Sequence, residues 1–147
     1  MTVDVLIDDH LLLRILLHEE PPHFRVPGAR IFTTGLWYHR LCRAVSINEV
    51  TGAMSRRLGR ADPCVAAAAV RAITTLPETI GLLSLRELAW PMAQLLQDGV
   101  RLNMMSLEAL AAAEGQGAEL CLASADENRQ LLDAAASRGT PARLVRN

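Results

Sequence analysis

Two adjacent acids, Asp8 and Asp9, close an apolar run over residues 3–7 and are followed by His10 and a second apolar run over residues 11–17. The first run has the length of a buried strand, the second that of a helix. A strand of this kind delivers its acids to the crevice at the carboxyl ends of an open α/β sheet, where ligands and metal ions bind. Asp8 is thus a possible metal ligand. Two further acids, Glu108 and Asp126, fall near the starts of later predicted helices. Each acid also has a structural reading: Asp8 or Asp9 as a helix cap, Glu108 and Asp126 as first-turn charges that favour the helix dipole.

The second chemical feature is basic. All fifteen basic residues are arginine, and Arg40, Arg43, Arg56, Arg57 and Arg60 fall close together although the net charge is only −1. Arginine's planar fork matches phosphate, so this region is a candidate nucleic-acid-binding surface; the alternative is a solvated helical face. Trp37 and Tyr38 lie beside Arg40 and Arg43, but a chain with two Trp, one Tyr and two Phe needs such rings for its core, and Trp37 is expected there. His10 is open to a role at the acids or as a cap. His18 and His23 have prolines between them and no cysteine nearby, so zinc is not expected.

The elements that must position these residues can be read from local signals. A loop holding three prolines ends near Gly28, and a second apolar run covers residues 29–33, leading through Thr34 into a helix that carries Trp37 and Arg40. Asp62 followed by Pro63 marks a cap and a first helical turn, with an alanine-rich helix over residues 64–75. Residues 80–83 form a short strand, and Ser84 with Glu87 forms a capping box opening a helix to Asp98 that contains Trp90 and Pro91. Its apolar face is Leu85, Leu88, Met92, Leu95 and Leu96. Ser106 is read as the start of a helix through residue 113, stopped by Gly115 and Gly117. Residues 118–123 form a strand, Asp126 opens the last helix, and residues 141–145 form an edge strand. Strands alternating with helices imply an α/β fold: a parallel sheet in three α/β/α layers.

The 147 residues, half of them hydrophobic, have the size and apolar content of a single domain over residues 1–147. No apolar stretch reaches the roughly 20 residues needed to cross a bilayer, and the N-terminal acids do not fit a signal peptide, so a cytoplasmic location and no membrane association are expected. Cys42, Cys64 and Cys121 lack metal-type pairing and are expected as buried free thiols.

The order of parts, with Asp8 closing the first strand and the stretch from Ser106 through Ser124 and Asp126 closing the chain, resembles the PIN-domain family, which includes toxin ribonucleases of bacterial toxin–antitoxin pairs. The resemblance implies a carboxylate cluster around Mg²⁺ or Mn²⁺ that hydrolyses RNA, with Asp8 as the first acid and Asp126 as the last. Two positions depart from the pattern. The second acid, counted from Thr34 or Thr33, falls on Arg40 or His39, and the third falls on Ser106, with Glu108 two residues on, a rotation of about 200° around a helix. Arg40 in such a site would repel a cation and pair with Asp8 instead. The resemblance thus implies a degenerate member with weak or lost hydrolysis of RNA. If it is active, Asp8 and Asp126, helped by Asp9 or Glu108, hold the metal, and residues from Arg40 to Arg60 hold the RNA backbone. The alternative is a non-catalytic module that binds protein or nucleic acid. An antitoxin, another protein partner and a homodimer are the partners it implies.

Overall fold

The computed structural model describes residues 2–47 and 52–146. Five strands, β1 (Val5–Ile7), β2 (Ile31–Thr34), β3 (Ile80–Leu83), β4 (Glu119–Ala123) and β5 (Ala142–Val145), form one sheet in the order β3-β2-β1-β4-β5. Every pairing is parallel. Seven helices accompany them: α1 (Asp9–Leu16), α2 (Gly35–Ser46), α3 (Ala53–Arg60), α4 (Pro63–Thr74), α5 (Leu85–Gln97), α6 (Met104–Gln116) and α7 (Arg129–Ser137).

The strands alternate side chains between two cores, as a pleated backbone requires when both faces are covered. Val5 and Ile7 of β1, with Cys121 and Ala123 of β4, pack on one face against Leu11, Leu12, Leu41 and Ile73 from α1, α2 and α4. Leu6, Leu120 and Leu122 pack on the other face against α5, α6 and α7 through Leu88, Leu110 and Leu131. This is the three-layer α/β/α arrangement expected. Trp37 lies in the second core at 3% exposure. Gly81 pairs with Phe32 in the β2–β3 register, and a Cβ there would lie 2.4 Å from the ring.

The topology fixes where a site can form. The chain runs outward from β1 through β2 to β3, then returns to lay β4 on the other side of β1. The strand order therefore reverses between β1 and β4, and their carboxyl ends open on the crevice that open α/β sheets use for ligands.

Several helix ends follow the sequence signals. Asp62 accepts the backbone N–H of Cys64 at 2.9 Å, with Pro63 in the first position. Ser84 and Glu87 form the capping box of α5. Others differ. Helix α6 begins at Met104, not Ser106, because Asn103 is the cap: its side chain accepts the Ser106 N–H at 2.9 Å. The helix passes Gly115 and ends only where Gly117 takes a left-handed conformation (φ 59°). Asp126 does not open the last helix but closes a short 3₁₀ turn, Ser124–Asp126, and Asn128 caps α7 by accepting the Leu131 N–H. On α5, Leu88, Met92 and Leu95 are buried, whereas Leu85, Leu96 and Trp90 face solvent, so the apolar stripe is narrower than the sequence suggested. Cys121 is buried and Cys42 partly so, but Cys64, in the first turn of α4, is exposed. Among the described residues, no helix is long and apolar enough to cross a membrane.

Candidate functional site

At the carboxyl end of β1 the two acids divide the work. Asp8 turns inward at 1% exposure. One carboxylate oxygen accepts the Leu11 N–H at 2.9 Å and caps α1; the other accepts the Ala123 N–H at 2.9 Å, tying the end of β1 to the end of β4. Burial pushes its carboxyl up to about 7, against the pull of these two N–H donors, and the charges of Asp9 and Asp126 push the same way as burial. Asp8 is thus the fastener of the strand junction.

Asp9, fully buried at 0%, carries the outward chemistry. Its carboxylate receives Nε and Nη2 of Arg40, the latter at 2.7 Å, in a bidentate fork. The same Nη2 donates to Asp126, which the 3₁₀ turn after β4 brings across the crevice. Arg40 therefore pairs with Asp9 and Asp126, not with Asp8 as the resemblance suggested. Its hydrogen bond to Asp9 holds the guanidinium more firmly charged than usual, against the opposing effect of burial.

Ligand-type atoms of Asp9, His10 and Asp126 all lie within 4.8 Å of one another. Asp8 and Glu108 fall outside this group. Glu108, 1% exposed, points at a different helix: its Oε1 accepts the Leu36 N–H at 2.9 Å at the start of α2, and its Oε2 is buried with no hydrogen-bond partner. Ser106, at the position counted for the third acid, is buried and accepts a hydrogen bond from the Asn128 side chain at 2.8 Å, joining α6 to the cap of α7. The earlier start of α6 does not bring Glu108 into the acid group.

No protein-family model matches this sequence. No curated protein matches it either. In structure the chain is similar to PAE2754 from Pyrobaculum aerophilum, at 20% sequence identity and a TM-score of 0.49, over 90% of this chain and 86% of that one.

The acid group offers carboxylates suited to a divalent cation, but with Arg40 in place it does not fit one. Mg²⁺ takes a near-octahedral shell of oxygens, and here the two carboxylates already face a fixed positive charge. The basic residues separate in space. Arg40 and Arg43 border a cavity of about 330 Å³ together with His10 and Met54. Arg56, Arg57 and Arg60 border a second cavity of about 240 Å³, together with His10 and Arg14. Arg14 was not among the candidates read from the sequence. Its signal was present, as the one charged side chain in the apolar run after His10, and one helical turn from His10 on the same face.

Proposed function

We propose that this chain is a PIN-like domain on the scaffold of a metal-dependent ribonuclease, in which the guanidinium of Arg40 stands in for the divalent cation. Hydrolysis of RNA is then weak or lost, and the domain acts by binding nucleic acid. The observation that carries this reading is the Arg40 fork on Asp9 with its second bond to Asp126. A guanidinium bridges the two carboxylates and offsets one of their two charges, but cannot activate a water molecule as a metal does. The position of the acids supports the scaffold: Asp9 and Asp126 follow the two strands between which the sheet order reverses.

A second reading is favoured by the 4.8 Å grouping of Asp9, His10 and Asp126. In it, Arg40 swings out and the group takes a Mg²⁺ or Mn²⁺ ion for RNA hydrolysis. Calorimetric titration with Mn²⁺ separates the two. We expect no saturable binding by the wild-type chain up to millimolar metal, and saturable binding once Arg40→Glu restores a carboxylate at that position. Saturable wild-type binding that Asp9→Asn abolishes, together with Mn²⁺-dependent RNA cleavage, would overturn the first reading in favour of the second.

A further inference from the structure

We propose that the cavity bordered by His10, Arg14, Arg56, Arg57 and Arg60 is an anion site for a phosphate monoester. It lies beside the acid group, shares His10 with it, and stands whether or not those acids take a cation.

The cavity is assembled from three elements. Helix α1 supplies His10 and Arg14, α3 supplies the other three arginines, and the end of β4 closes the floor through Ala123. No carboxylate borders it among the described residues. Four guanidinium groups around one cavity repel one another unless an anion sits between them. Glu19 answers part of this charge by pairing with Arg57 at 2.8 Å, whereas Arg14, Arg56 and Arg60 have no ion pair among the described residues.

Arg14 points most directly to a ligand. It is only 8% exposed, and its Nη1 donates to the Arg146 carbonyl at 3.3 Å, yet its buried Nε has no hydrogen-bond partner among the described residues. Buried guanidinium donors are normally satisfied, because an unmet donor has lost its water without replacement. Burial, and next the charge of Arg57, make the Arg14 cation less favourable than it is in water. An anion in the cavity offsets the charge of Arg57 felt by Arg14.

The chemistry of that anion follows from charge and size. Arginine forks match phosphate oxygens. A monoester carries about −1.5 to −2 charges at neutral pH and three free oxygens, which answers several guanidiniums better than a phosphodiester does. About 240 Å³ admits a phosphate group with some of its water.

Calorimetric titration of the full chain with inorganic phosphate at fixed ionic strength tests the site. We expect saturable one-to-one binding and a phosphate-dependent rise in Tm. The double variant Arg56→Ala, Arg60→Ala changes only exposed residues, so it should fold normally and weaken binding about tenfold or more. Arg14→Gln should do the same wherever its Tm without phosphate shows a folded chain. Absence of saturable binding, or binding unchanged in the double variant, overturns the proposal. A short RNA with a 5′ phosphate, set against the same RNA with a 5′ hydroxyl, identifies the source. Tighter binding of the phosphorylated RNA than of both inorganic phosphate and the hydroxyl RNA points to a polynucleotide end, and equal binding of the phosphorylated RNA and inorganic phosphate points to free phosphate. Equal affinity for the two RNAs, both above that of phosphate, overturns the assignment to a monoester.

Discussion

Two charged regions meet at His10, and they are built on opposite principles. On one side Asp9 and Asp126 are closed around the fork of Arg40, so that opposite charges satisfy each other inside the protein. On the other, four arginines border a cavity that, among the described residues, no carboxylate lines, and one of them has a buried donor with no partner among those residues. The difference teaches that residue type does not name a site. The acids, which look like catalytic machinery in the sequence, are held by a partner on the same chain, whereas Arg56 and Arg60, which look like a solvated face, have no ion pair among the described residues. What decides is whether the protein itself supplies the counter-charge.

The comparison breaks most directly at Arg40. Arg40→Ala strands Asp9, fully buried, beside Asp126 with no cation between them. Removing one partner of a fully buried pair typically costs about 3–5 kcal/mol; because the Arg40 side chain keeps 30% of its surface exposed, we expect a loss of about 2–3 kcal/mol in urea unfolding. Millimolar Mn²⁺ should restore part of it in the variant and none in the wild type. An unchanged unfolding midpoint would mean that the acid side is as open as the arginine side, and the contrast would fall.

Asp8 sharpens the contrast through pH. Its folded value of about 7 lies above the ordinary 3.8, so between these values the native state keeps a proton that the unfolded chain has released. The contribution is therefore fully present below about pH 4, declines by up to about 1.4 kcal/mol per pH unit as pH rises towards 7, and is level above that. Asp8→Asn should remove this decline. Asparagine has one acceptor oxygen for the two N–H groups of Leu11 and Ala123, a loss that is the same at every pH and so lowers the level of the curve without adding a slope. The slope of urea midpoints against pH is thus the measure that separates ionisation from lost hydrogen bonding. Parallel slopes in the two proteins would show that Asp8 stays ionised and that its two N–H donors outweigh burial.

How much of this was legible in the sequence depended on how local each signal was. Asp62 with Pro63, and Ser84 with Glu87, act within one helical turn, and the structure bears both out. Alternating strands and helices were enough for a parallel sheet covered on both faces. The division between Asp8 and Asp9 was not legible, because two adjacent acids at a helix start look alike, and only the Ala123 N–H from β4 selects which one turns inward. The same holds for Arg40. Counting residues placed it where an acid was wanted, but its partner is fixed by a turn 86 residues away in sequence. Glu108 and Ser106 were judged from a helix start that Asn103 in fact sets two residues earlier, and the acid still faces the start of α2. Arg14 needed only the remark that an apolar helix does not carry an arginine inward without a reason.

The smallest effect tests the arginine side from its edge. Glu19 is the acid that answers Arg57, and both side chains are partly exposed, 42% for Glu19 and 27% for Arg57, so the pair is worth less than about 1 kcal/mol. The Glu19 N–H, which donates to the Arg14 carbonyl at 2.7 Å at the end of α1, is unaffected by Glu19→Gln, so the helix end stays in place. Removing the carboxylate should raise phosphate affinity about twofold to fivefold, because the Glu19 charge no longer offsets the Arg57 guanidinium. Phosphate titration of the variant reads this directly. Unchanged affinity would place Arg57 outside the phosphate shell and leave the site to Arg14, Arg56 and Arg60. A weaker affinity would mean that Glu19 orients the Arg57 fork towards the anion, so that even on the open side the protein uses an internal acid to aim a cation.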